Sequence, residues 1–306
     1  MTEKEVVSAA GCSESASRIV LCVNYNGSAY HGWQAQSSGV PTVEGSLLKA
    51  VRRVADQELE LTCAGRTDRG VHASHQYVHF DTTAKRSERS WVFGCNSALP
   101  KDVSVLWAGE VDQAFHARYS ATSRRYFYCI YNHPVRPANY ATEMTWHHYP
   151  LDEARMHDAA QCLVGEHDFS SFRAAGCQSK SPFRFLEHVR VFRVGHMVIL
   201  DIKGNAFLHH MVRNISGVLM AIGAGKMPVS WCREVLEACD RTMGGVTAPP
   251  NGLYLAQVDY PEHFSVPSQL GAPGFLHALL VASGYLDSGD SDSKLWELAF
   301  LEDPQR

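Results

Sequence analysis

The 306-residue chain predicts an α+β fold built from two halves that share one order of elements. Three observations predict it. Short β-prone runs alternate with amphipathic helical periods over residues 18–112, and the same coarse order returns over residues 126–262 without any residue-level repeat. A basic, aromatic connection at residues 113–125 lies between them, so a basic cleft is expected where this pseudo-symmetric pair meets. Residues 1–17 form a polar leader. Residues 263–306 are an acidic tail rich in Pro, Gly and Ser, a composition that favours disorder, and are expected to stand outside the packed body.

In chain order, residues 19–25 read as a strand, turned by Asn26-Gly27 into a loop rich in stacking and hydrogen-bonding groups, among them Tyr30, His31, Trp33 and Gln34. Pro41-Thr42 then starts a helix with Val43, Leu47, Leu48, Val51 and Val54 on one face. Residues 59–64 and 76–82 are β-prone, and Val78 and Phe80 alternate with Tyr77 and His79 as in a half-buried strand. A helix over 87–98 and a strand over 103–111 complete the first half. In the second, Asp152 caps a helix to about Val164, residues 185–194 and 197–203 form a hairpin about Gly195, a helix covers about 206–222, and a strand covers 253–258.

Composition narrows the function classes. Nine cysteines, an odd number with no C-x-x-C pair, argue against disulfides and a cysteine-rich zinc site. No signal-peptide pattern opens the chain and no apolar run approaches membrane-spanning length, so a cytoplasmic protein without membrane contact is expected. The net charge is −4, but residues 1–17 carry −2 and residues 281–306 carry −4, which leaves +2 over 18–280. The body can therefore still carry a basic patch.

The segment from Cys63 to Ala73 concentrates chemistry in a turn. Asp68 lies between Gly65 and Gly70 and is flanked by Arg66 and Arg69, so its carboxylate should be displayed and kept ionised, as a nucleophile or base requires. An aspartate whose side chain folds back on its own turn satisfies the same local pattern. Residues 113–136 hold Arg118, Arg124, Arg125 and Arg136 among Phe115, Tyr119, Tyr126, Tyr128 and Tyr131, with no acid. Guanidinium groups for phosphates beside rings for stacking suit unpaired or extruded nucleotides. By alternation, Phe127 and Cys129 face the core instead. The loop from Gly176 to Arg184 is polar and basic. Arg213, a charge on an otherwise apolar helix, needs a partner, and the cleft would take Asp68 from one side and Arg213 from the other. The run Gly223-Ala224-Gly225-Lys226 lacks the spacing of a phosphate loop. His147-His148 and His209-His210 are adjacent pairs whose side chains diverge on a strand or helix, so no metal site is predicted; a structural or RNA-contacting role suits them better.

These residues carry a resemblance. Tyr25-Asn26-Gly27-Ser28, His31-Gly32-Trp33-Gln34, Ala64-Gly65-Arg66-Thr67-Asp68, Gly70-Val71-His72, Phe115-His116-Ala117-Arg118, Arg125-Tyr126, His209 to Asn214 and Gly252-Leu253-Tyr254-Leu255 together make residues 18–262 resemble the tRNA pseudouridine synthase A family. The resemblance implies an antiparallel α+β fold of two related halves about a positive cleft, a homodimer, no cofactor, and conversion of uridine to pseudouridine at positions 38, 39 and 40 of the tRNA anticodon stem-loop. It implies Asp68 as the catalytic aspartate with Arg213 as its partner, Arg66 as an aid to base extrusion, Tyr126 at the target base and Leu253 as an apolar wall. Phe115, His116, Ala117, Arg118 and Tyr119, with Gly176, Cys177, Gln178, Ser179 and Lys180, match tRNA-contacting segments. Arg69 departs from the small residue expected there, and the tail has no counterpart. Two rivals remain open: a catalytically silent RNA-binding or RNA-folding protein on the same scaffold, and a nucleoside hydrolase that uses Asp68 to assist water.

Overall fold

The computed structural model describes residues 16–268 and 270–285; most of the leader and residues 286–306 lie outside the described residues. The strands are β1 (Ser17–Tyr25), β2 (Thr62–Cys63), β3 (His72–Thr82), β4 (Val103–Val111), β5 (Ser123–Asn132), β6 (Thr145–His147), β7 (Gly165–Asp168), β8 (Phe183–Val194), β9 (Met197–Gly204) and β10 (Leu253–Asp259). The helices are α1 (Val43–Ala55), α2 (Glu88–Ala98), α3 (Glu153–Ala160), α4 (Met211–Gly223), α5 (Trp231–Ala238) and α6 (Gly274–Ala282).

One sheet runs β4-β1-β3-β10-β5-β9-β8-β7, with β2 added on β3 and β6 on β5. It is largely antiparallel, in keeping with the expected α+β class; the exceptions are β10 on β3 and β6 on β5. The late strand β10 inserts between β3 and β5, with Leu255 opposite both Ala73 and Tyr126. It thereby joins early and late parts of the chain through backbone hydrogen bonds. Strand β3 is buried along almost its whole length, not on alternate residues, because helices cover one face and the 115–117 and 260–264 segments cover the other.

Local chemistry explains the helix starts. The Thr42 hydroxyl accepts from the Gly45 amide, Ser87 caps α2 and the Asp152 carboxylate accepts from the Arg155 amide. The helix expected from residue 206 begins only at Met211, because His210 adopts a left-handed conformation with φ +60°.

The tail needs a correction. Part of the segment expected to stand outside the body is packed on it: α6 buries Leu276 and Leu280 against Phe127, Cys129, Ile199 and Ala256. Its charge and glycine content masked a short apolar run, 275–282, long enough to cover the back of the sheet.

Candidate active site

Asp68 stands on the loop between β2 and β3, and several short contacts fix that loop. The Gln76 side chain accepts from the Gly65 amide and donates to the Gly65 carbonyl, which brackets the loop's start. The Thr67 hydroxyl bonds the buried Tyr25 hydroxyl at 2.8 Å, and the Thr67 carbonyl accepts from the Trp33 amide at 3.0 Å. Gly32, at φ +93°, lies so close beneath that a Cβ would stand 2.8 Å from the Thr67 carbonyl oxygen. His72, immediately downstream, accepts from the Gly27 amide through Nδ1 and donates from Nε2 to the Thr142 carbonyl; burial pushes its pKa down to about 4. The glycines and aromatics around the loop are thus a set of anchors for one carboxylate.

The opposite wall is the entry to α4. Arg213 in its first turn places Nη1 3.3 Å from Asp68 Oδ2, while its Nε donates to the Ala248 carbonyl at 2.9 Å. Buried Asn214 organises the strap that supplies this carbonyl: its amide donates to Phe172, and its oxygen accepts from Arg241 and the Thr247 hydroxyl. His209 Nε2 lies 3.3 Å from Asp68 Oδ1, and His210 Nε2 lies 3.3 Å from Oδ2. Burial lowers the His210 pKa against the opposing pull of Asp68, with His209, Arg213 and Arg241 adding to the lowering.

The two histidines correct the expectation that they diverge. The left-handed backbone at His210 breaks the helical progression and turns both rings onto Asp68, a geometry that periodicity alone does not reveal. Asp68, His209 and His210 offer ligand atoms within 4.8 Å of one another, so they could hold a cation, but the Arg213 guanidinium already occupies the side of Oδ2 and opposes one electrostatically.

A cavity of about 800 Å³ opens in front of Asp68. Tyr126 and Leu253 line it together with Arg66, Arg118 and His116. Tyr126 packs edge-on against Phe207 at 5.0 Å between ring centres, and its hydroxyl has no hydrogen-bond partner among the described residues. Burial pushes its pKa up to about 12. Arg66 lines the same cavity, exposed and unpaired among the described residues. Of the loop 176–180, Gly176, Cys177, Gln178 and Ser179 line the cavity, whereas Lys180 is exposed beside it.

Two groups of residues require correction. Phe115 and Ala117 are fully buried, so their side chains belong to the core; His116, Arg118 and Tyr119 are the members of that segment presented outward, Tyr119 at 76% exposure with the Arg118 guanidinium over its ring. Of the four arginines, two are spent internally. Arg124 donates to the carbonyls of Ala121, Asn205, Ala64 and Arg118. Arg125 pairs with Asp201 on the other side of the sheet. Alternation along β5 carries Tyr126 to the cavity and Arg125 away from it.

The family pattern described as tRNA pseudouridine synthase matches residues 21–120 and 159–261. Asp68 falls in the first block and Arg213 in the second, while Tyr126 lies in the interval between them. A tRNA pseudouridine synthase A from Pseudomonas aeruginosa is 55% identical over 271 residues, covering 89% of this chain and 95% of the relative. Relatives of the same name from Coxiella burnetii (55% identical, 85% of this chain, 99% of the relative) and Histophilus somni (54%, 85% and 96%) are similar over nearly their full length.

Proposed function

Because this chain belongs to the tRNA pseudouridine synthase A family, we propose that it isomerises uridine to pseudouridine at positions 38, 39 and 40 of the tRNA anticodon stem-loop, with Asp68 as the catalytic carboxylate. The observation that supports the assignment of the site is that Asp68 and Tyr126, from separate elements, line one cavity while Arg213, from a third, pairs with Asp68 at its wall.

The reaction breaks the N1–C1′ bond, turns the uracil and forms C5–C1′; N1 gains a proton and C5 loses one. Atoms and charge balance without a cofactor. The uridine is hidden in a stacked loop, so it must be extruded, and Tyr126 offers a ring to hold it while Leu253 gives an apolar wall. Arg66 stands where it can fill the space that the base leaves. The Asp68 carboxylate can act on the sugar or ring as a nucleophile, or on a sugar proton as a base. Its donors Arg213, His209 and His210 fix its orientation and leave it in contact with the cavity. Their 3.3 Å separations exceed the usual length of a charge-assisted bond, which leaves room for tightening when substrate excludes water. Arg118, His116, Tyr119 and the 176–180 loop supply contacts to the RNA. The active form on this reading is a cytoplasmic homodimer.

Incubation with unmodified tRNA, followed by mapping of pseudouridine, tests activity and position together. Pseudouridine at 38, 39 or 40 with the wild type, and none with Asp68→Asn, is the expected result. Free uracil would assign a hydrolase, and tight binding without product would assign a silent RNA-binding protein. Light scattering should give twice the chain mass.

A further inference from the structure

A second cavity, of about 420 Å³, lies on the far side of Asp68. It shares Asp68 and His210 with the large cavity, and its other walls include Arg69, Arg213, Thr142 and Asn251. The two arginines that flank Asp68 in sequence therefore go to opposite sides: Arg66 into the large cavity, Arg69 into the small one. Gly70, at φ +78°, makes the divergence feasible, because it reverses the chain against Pro250 where a Cβ would stand 3.1 Å from the proline ring.

Several donors in this second cavity are uncommitted. Neither the Arg69 guanidinium nor the Asn251 amide has a hydrogen-bond partner among the described residues, and Arg213 uses only Nε and Nη1. Asp68 is the sole acid on its walls, and that carboxylate already faces Arg213, His209 and His210. What remains is a positively charged recess with planar, forked donors, the chemistry that binds a phosphodiester.

Resting on the function proposed above, we infer that this recess seats a phosphate of the RNA strand next to the extruded uridine, with Arg69 as its principal cation. A nucleotide drawn into the large cavity leaves its flanking phosphates at the rim, and Asp68 is the wall that the two cavities share. Arg69 is thus a positioning residue: it anchors the strand on one side of the carboxylate while the base enters from the other.

The test combines charge removal on both partners. Wild type and Arg69→Gln are titrated with an anticodon stem-loop RNA across a range of salt concentrations, then with RNAs carrying a neutral methylphosphonate at either phosphate flanking the target uridine. Arg69→Gln should weaken binding about tenfold and lower the salt slope by about one unit. At one of the two positions the methylphosphonate should weaken wild-type binding by a similar factor and leave Arg69→Gln nearly unaffected. Arg69→Lys should keep the salt slope. Additive losses at both positions, or an unchanged salt slope in Arg69→Gln, overturn the inference. Pseudouridine formation by the wild type is followed on the same RNA: coupling without product would refute the enzyme assignment and keep the phosphate site, whereas product without coupling would do the reverse.

Discussion

The molecule contains two clusters of similar composition, one Asp with Arg and His partners in each, and they differ in geometry, burial and access. At the back of the sheet, Asp201 is fully buried; Arg125 grips both its oxygens at 2.8 and 2.5 Å, His188 lies 3.1 Å away, and the Tyr285 hydroxyl completes the shell. Burial alone would raise its pKa, but Arg125 and His188 outweigh it and hold it down at about 2. In front, Asp68 has three partners at 3.3 Å, none gripping both oxygens, and opens on two cavities. A carboxylate whose lone pairs are all committed is structural; one that is oriented and still reachable is reactive.

Substitution should separate the two most sharply. Asp68→Asn should cut turnover by ~10³-fold or more with an unchanged melting temperature, and residual activity near wild type would remove Asp68 from the chemistry. Arg213 comes next. In a double-mutant cycle on activity, Arg213→Gln should cost little once Asp68→Asn is present, and Arg213→Lys alone should be poorly tolerated for want of the forked donor. Additive losses would make Arg213 a purely structural charge.

At the back the same change should appear in stability. Asp201→Asn leaves Arg125 with a weakened partner in a buried site and should cost about 3–5 kcal/mol in urea unfolding, whereas stability within about 1 kcal/mol of wild type would mean that the pair is dispensable. Leu280→Ala, in the helix that roofs that side, should cost about 3 kcal/mol. A neutral result there would detach α6 from the body.

Acid gives the finest discrimination. His72 is neutral in the fold down to about pH 4, but the unfolded chain protonates near 6.5, so its contribution is complete above 6.5 and is lost as pH falls towards 4. The slope should be about 1.4 kcal/mol per pH unit across that window, and His72→Gln should flatten it by that amount. Asp201, depressed to about 2, loses its contribution only below the ordinary carboxylate range, so the back cluster should persist through the same window. An unaltered slope in His72→Gln would show that the imidazole is charged in the fold.

Much of this was legible in the sequence because it rests on local rules. Thr42, Ser87 and Asp152 announce their helices, Gly70 announces its turn, and an arginine on the apolar period of α4 announces a partner. The histidines at 209–210 were misread because a single left-handed residue has no periodic signature; the absence of a Ser, Thr, Asp or Asn cap before Met211 was the available hint. The spent arginines were misread for another reason: composition counts charges, whereas only the register of β5 on β9 reveals that Arg125 meets Asp201 and its neighbour Tyr126 faces the cavity. Helix α6 was obscured by the acidic residues beyond it.

The Arg124 side chain ties together four carbonyls from three stretches of the chain, beside a β3-β10-β5 seam joined by backbone pairing on both edges of β10. Mechanically this is a braced joint and not a hinge. When two bodies are pressed together, deformation goes to the more compliant one, and a seam of this kind makes the protein the stiff partner. If the proposed reaction takes place at Asp68, the bending needed to bring a stacked uridine there falls on the RNA. Stems and loops that deform easily should react faster than rigid ones of identical sequence at the target, so selectivity would follow the elasticity of the substrate as well as its letters.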